Sequence, residues 1–315
     1  MKGHVLALAG GVGGAKLALG LSHVLPPQQL TIVANTGDDE VFHGLCVSPD
    51  LDTIMYTLAG LSNPVTGWGL AGDTFSALEM LRRYGAETWF SLGDRDLATH
   101  VERTRLLRQG WTLSKVTRHL CDKLGIQAVL VPMSDQPVRT IVETEQGSLS
   151  FQDYFVKHRC EPSIKGVRFE GVQEAQVSPA FQQVLDTAEA VVYCPSNPVV
   201  SIGPILALPG VRQSLRAFRG PRIAISPIVG EQALRGPAAK MLMELGEEVS
   251  CVGVARRLAG ICDVLVVDRQ DAHRAARVAA TGIEAVVLDT IMETDSDKER
   301  LAREVLRIVQ QRIAV

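Results

Sequence analysis

The chain has 315 residues, 46% of them hydrophobic, a formal net charge of −3 and a sequence pI of about 6.2. That length admits one large domain or two ordinary ones with ample buried core. The mild acidity and 5% aromatic content argue against nucleic acid and anionic membranes as partners, because neither a basic patch nor stacking platforms are supplied. No apolar run approaches the roughly 20 residues of a membrane span. Met1-Lys-Gly-His passes into a strand without a charged-then-apolar leader, so the expected location is cytoplasmic. The six cysteines are scattered without a C-x-x-C pair, which points to reduced, mostly core thiols.

In chain order, the first predicted strand is Val5–Ala9, and it runs into Gly10-Gly11-Val12-Gly13-Gly14-Ala15-Lys16-Leu17 at the start of a helical segment. A strand turning through glycines into a helix gathers bare N–H groups and the positive end of the helix dipole, a seat for phosphate oxygens. Several of these glycines are expected to need φ > 0. The spacing is neither a dinucleotide fingerprint nor a Walker loop, and the same turn also serves as a strand-to-helix connection without ligand.

A second strand, Leu30–Ala34, ends in Asn35-Thr-Gly-Asp38-Asp39-Glu40. Such an oxygen-rich turn suits Mg²⁺, although Asn, Gly and Asp are also what turns are made of. Ser48-Pro49-Asp50-Leu-Asp52 reads as an N-cap followed by a helix, with Asp50 either complementing the dipole or facing the same crevice as Asp38. From Asp73 to Leu124 the periodicity is helical (Phe75–Tyr84, Leu97–Gln109, Leu113–Leu124), so residues 73–124 are expected to form a helical insert within one α/β domain covering 1–315. Leu92-Gly-Asp94-Arg95-Asp96 precedes the second of these helices with Asp96 as its expected cap. Arg95 either offers a planar fork to phosphate or a flat heterocycle, or is a surface arginine, and His100 reads as structural.

Further strands are expected at Ala128–Val131, Ala190–Tyr193, Arg222–Ile225, Val264–Val267 and Ala285–Leu288, with an edge hairpin over Arg139–Phe151 turning at Gln146-Gly147. The loops Cys194-Pro-Ser196-Asn197 through Ser201-Ile-Gly203 and Ser226-Pro-Ile-Val-Gly230-Glu231 follow two of them. Ser296-Asp-Lys-Glu299 reads as a capping box for a closing helix. The alternation of strand and helix predicts a Rossmann-like, three-layer α/β/α fold with a mostly parallel sheet and ligands beyond the carboxyl ends of its strands.

Taken in order, Gly10–Leu17, Asn35–Asp39, Ser48–Thr53, Leu92–His100, Pro195–Pro198 and Ser226–Gly230 with Arg235-Gly-Pro-Ala238 resemble the 2-phospho-L-lactate transferase (CofD) family of deazaflavin coenzyme F-420 biosynthesis. Glu231 departs from the family pattern, where many members have a second glycine. The resemblance implies transfer of a phospholactyl-type or phosphoenolpyruvyl group from a guanosine diphosphate-linked donor to 7,8-didemethyl-8-hydroxy-5-deazariboflavin, with release of GMP, Mg²⁺ as cofactor and a homodimer. It places acceptor binding at Asp50, Arg95 and Asp94, and donor binding at Gly10, Gly11, Gly13, Gly14 and Lys16, with Ser196, Asn197, Ser226 and Gly230 in the later loops. Asp50 and Asp38 are then the expected catalytic residues, and Asp38, Asp39 and Asp50 the expected metal ligands. The rivals are a non-enzymatic nucleotide-sugar or dinucleotide-binding regulator of the gluconeogenesis-factor type and, more weakly, a nicotinamide-dependent oxidoreductase.

Overall fold

The computed structural model describes residues 3–233 and 236–313, so Arg235 of the last motif lies outside the described residues. Seven strands form the central sheet: β1 (Val5–Ala9), β2 (Leu30–Ala34), β3 (Val129–Pro132), β4 (Ala190–Tyr193), β5 (Arg222–Ile225), β6 (Val264–Asp268) and β7 (Glu284–Leu288). All pair in parallel, in the order β7-β6-β5-β4-β1-β2-β3. Each lies within a residue of its expected position.

Side-chain alternation divides β1 between two apolar cores: Val5, Ala7 and Ala9 face one, Leu6 and Leu8 the other. Both faces are therefore covered, as a parallel sheet requires. The first core is closed by α1 (Gly11–Val24), α2 (Pro49–Leu58) and the C-terminal helix Asp295–Ile313; the second by helices such as Pro179–Thr187 and Cys251–Leu258. The chain leaves β1 towards β2 and β3, then returns across the sheet to β4 on the other side of β1. This reversal makes the carboxyl ends of β1 and β4 the topological switch point, where α/β sheets bind ligands.

Between β2 and β3 lie a short antiparallel pair (Glu40–Phe42 with Leu45–Val47), α2, and the helices α3 (Ser76–Arg83), α4 (Asp94–Arg108) and α5 (Leu113–Lys123). Three local expectations need correction. α4 begins at Asp94, so Asp96 lies inside it; its first amides at Arg95 and Asp96 donate to the Asp73 carboxylate at 2.8 and 3.0 Å. Arg139–Thr144 and Gly147–Ser150 do form a hairpin, but it joins Ile164–Glu170 in a separate three-stranded sheet and not the edge of the main one. The C-terminal capping box is Thr294-x-x-Asp297, two residues before the expected one: Asp297 N–H donates to Thr294 Oγ1 at 3.2 Å, and Thr294 N–H donates to Asp297 Oδ2 at 2.8 Å. Among the described residues no helix is long and apolar enough to cross a membrane, and the six cysteines are free.

Candidate active site at the sheet's switch point

The strand register brings three loops to the switch point side by side. Ala9 and Ala34 are opposite one another, Asn35 N–H donates to Ala9 O at 3.0 Å, and Cys194 N–H donates to Leu8 O at 2.9 Å. Gly10, Asn35 and Pro195 thus leave neighbouring strands at one level.

The glycines of the first loop have two different causes. Only Gly11 has the left-handed backbone that favours glycine, at φ +63°, whereas Gly10, Gly13 and Gly14 lack room for a Cβ. A Cβ on Gly10 would collide with the Asp50 carboxylate and Ser201, one on Gly13 with the Pro195 carbonyl, and one on Gly14 with Ser196 Oγ at 2.5 Å. Gly10 N–H donates to Ser196 Oγ at 3.0 Å, locking the β1 and β4 loops together. The start of α1 is therefore pressed against Asp50 and the β4 loop.

Asn35 is the centre of the acidic cluster. Its buried Nδ2 donates to Asp38 Oδ1 at 3.0 Å, to Asp50 Oδ2 at 2.9 Å and to Val200 O at 3.2 Å, while its Oδ1 accepts Gly37 N–H at 2.8 Å. Gln152 Nε2 adds a 3.3 Å hydrogen bond to Asp38 Oδ2. Ser48 is the N-cap residue of α2, as expected, but its hydroxyl donates to Asp39 Oδ2 at 2.7 Å and does not accept from the helix amides. Asp39 Oδ1 is buried without a hydrogen bond.

Burial dominates the electrostatics. It lifts the Asp50 carboxyl to about 6, against hydrogen bonds from Asn35, the Gly11 backbone and Ser201. Asp38 is pushed well above the carboxylate range by burial and then by the charges of Asp50 and Asp39; Asp39 is raised by burial, against Ser48 and Arg103. Among the described residues no three histidine, cysteine or acidic side chains converge as a preformed metal site. Clustered buried carboxylates with one oxygen unpaired nevertheless fit Mg²⁺, which takes one or two carboxylates and completes its shell with water and phosphate oxygens.

Arg95 is linked to the start of α1 only through an intervening loop. Its Nη1 donates at 2.9 Å to Ala71 O, in the loop whose Gly67 lies against Val12 of α1. Asp94 is engaged with the start of α3. It caps α3 by accepting Ser76 N–H at 3.0 Å and Ala77 N–H at 2.9 Å, and it also accepts from Thr74 Oγ1 at 2.6 Å. Lys16 Nζ donates to Met292 O at 2.6 Å, Asn197 Oδ1 accepts Val199 N–H at 2.9 Å in its own loop, and Ser226 Oγ donates to Ile228 O at 2.8 Å. Gly230, at φ +63°, donates its N–H to Asp271 Oδ2 at 2.8 Å beyond β5, two strands from β1. Of the expected site residues, Gly10, Gly11, Gly13, Gly14, Asp38, Asp39, Asp50 and Ser196 come together at the switch point, and the contacts just given tie the others to different partners.

Residues 5–313 match the family model for the 2-phospho-L-lactate transferase CofD. The chain belongs to the CofD family. It is 38% identical to the 2-phospho-L-lactate transferase of Methanosarcina mazei, covering 96% of this chain and 99% of that one. It is 40% identical to the phosphoenolpyruvate transferase of Streptomyces griseus subsp. griseus, covering 98% and 99%. A crystal structure of BH3568 from Bacillus halodurans superposes with a TM-score of 0.64 at 16% identity over 97% of this chain and 100% of that one, a likeness of fold alone.

For this CofD-family chain, sequence reasoning left Asn35, Gln152 and Ser201 without roles. Asn35 carried a usable signal, since it is the first residue past a strand's carboxyl end in the acidic turn. Gln152 carried none, because it reaches Asp38 across 114 residues of chain.

Proposed function

We propose that this chain is the transferase that moves a phospholactyl or phosphoenolpyruvyl group from a guanosine diphosphate-linked donor to the ribityl hydroxyl of 7,8-didemethyl-8-hydroxy-5-deazariboflavin, releasing GMP. The observation that supports it is the meeting of the Gly10–Gly14 helix start with Asp50 and Asn35 at the switch point, in a chain of this family. The acceptor oxygen forms a bond to the phosphorus that carries the three-carbon acid, and the bond from that phosphorus to the GMP oxygen breaks. Catalysis of such a step is mostly positioning and charge neutralisation.

The first amides of α1 receive the donor's diphosphate. Asp50, with its carboxyl lifted to about 6, accepts the proton of the attacking hydroxyl near neutral pH. Asn35 holds Asp50 and Asp38 in one orientation, and Arg95 binds the acceptor. Asp38, Asp39 and Asp50 would hold Mg²⁺, which would supply further neutralisation of phosphate charge.

The test is incubation of the purified protein with Mg²⁺, the deazaflavin and each candidate donor, followed by mass analysis. Formation of GMP and the phosphodiester product is expected with one of the three-carbon donors. Absence of GMP with every donor overturns the reading in favour of a nucleotide-binding regulator.

A further inference from the structure

We infer that Arg103, with Thr104, is a positioning residue for transfer: from the buried face of α4 it clamps the segment 46–52, which carries Ser48 and Asp50, and so fixes the carboxylates against the glycine loop. The inference rests on the proposed function for its kinetic consequence, though not for its geometry.

Arg103 is 1% exposed. Its guanidinium forks onto both oxygens of Asp52, with Nη1 3.0 Å from Oδ2, and the same Nη1 lies 3.4 Å from Cys46 O and 3.2 Å from His100 Nδ1. Thr104 Oγ1 accepts the Cys46 N–H at 2.8 Å. Both backbone groups of Cys46, and the side chain of Asp52, are thus held by consecutive residues of α4. Between these anchors lie Ser48, which donates to Asp39, and Asp50, which faces Asn35. α4 is tied to α2 a second time where Tyr56 Oη donates to Asp96 Oδ1 at 2.6 Å, with His100 Nε2 3.2 Å from the same oxygen. Since Arg95 sits at the start of α4, one helix sets the distance between Arg95 and Asp50.

A buried fork of this kind is not replaceable by lysine, which keeps the charge but offers no planar pair of donors. Small displacements of catalytic groups are costly in rate, since a misplacement of about 1 Å can cost about a hundredfold. The groups so displaced are Asp39 and Asp50, whereas the glycine loop is anchored separately through Ser196.

The experiment compares wild type, Arg103→Lys and Thr104→Val by steady-state kinetics, thermal unfolding and amide hydrogen exchange. Arg103→Lys is expected to lower kcat by about tenfold to a hundredfold while the donor KM changes by less than about threefold. Exchange should accelerate by at least about tenfold over residues 46–52 and stay unchanged in β1 and β4. Thr104→Val, which removes only the hydroxyl acceptor, should show the same pattern to a smaller degree and serves alone if the lysine variant does not fold. Unchanged exchange at 46–52, unchanged kcat, or acceleration throughout the chain with activity tracking thermal stability overturns the inference. A wild-type chain without turnover refutes the proposed function instead, and the exchange pattern still upholds or refutes the clamp.

Discussion

Asp50→Asn is expected to make the metal-free protein more stable while abolishing transfer. The aspartate is 7% exposed, and burial raises its carboxyl from 3.8 to about 6 in the folded chain. A shift of roughly two pH units at about 1.36 kcal/mol per unit corresponds to about 3 kcal/mol of stability withheld whenever the group is ionised. The sign follows from proton uptake. Below the unfolded value the carboxyl is protonated in both states and carries no ionic penalty. Between about pH 4 and 6 the folded state holds a proton that the unfolded state has lost, so stability falls as pH rises, and above about 6 the loss is complete. Asparagine retains an oxygen to accept from Asn35 and cannot ionise, so its advantage should be small near pH 4 and reach its full size by pH 7. With an unfolding entropy near 2.1 cal/mol/K per residue, 3 kcal/mol corresponds to a rise in Tm of about 4 °C. Calorimetry of both proteins in chelator from pH 4 to 8 measures it. A variant that is less stable than wild type at pH 8, or a gap that does not change with pH, refutes the electrostatic account of Asp50.

Magnesium should raise the Tm of wild type in proportion to its occupancy and leave Asp50→Asn nearly unmoved, since a ligand stabilises only the state that binds it; equal shifts in a thermal-shift titration would place the ion elsewhere. Gly13→Ala should destabilise by about 1–3 kcal/mol or more in urea titration because its Cβ meets the fixed Pro195 carbonyl, whereas Gly14→Ala should cost less because it meets a side-chain oxygen, Ser196 Oγ, whose rotation gives up only the hydrogen bond from Gly10. The reverse ranking would show that the loop's glycines are not set by these contacts. Asp94→Ala should lower the midpoint of urea unfolding through loss of the α3 cap, and an unchanged midpoint would refute that role. Arg95→Ala should raise the acceptor KM with stability within about 0.5 kcal/mol, and an unchanged KM would remove Arg95 from the site.

The central sheet was legible because its strands are short apolar runs, buried on both alternating faces in all but the edge strand β7, a pattern that leaves few other secondary-structure choices. The switch point's loops followed from the strand ends. What escaped were the features decided by pairing over distance. Asp73 and Asp94 are equally good cap residues in sequence; only packing reveals that each serves the other's helix, Asp73 that of Asp94 and Asp94 that of Ser76. Two overlapping Thr/Ser-x-x-Asp/Glu patterns compete at the last helix, and the earlier one wins. Ile164–Glu170 alternates like a strand, but its partner at Arg139–Thr144 is known only from the fold.

The acidic cluster makes physical sense only together with the glycine loop. Asp50 contacts the Gly11 backbone, so a carboxylate lies beside the same positive helix end that would attract a donor's diphosphate. Two anions at one helix start repel each other unless further positive charge enters with them or one carries a proton. The buried, elevated carboxyls of Asp38, Asp39 and Asp50 are in the condition that either remedy would relieve. This supports the proposed reading, in which a phosphate ester arrives with a cation and is attacked by a hydroxyl whose proton needs an acceptor.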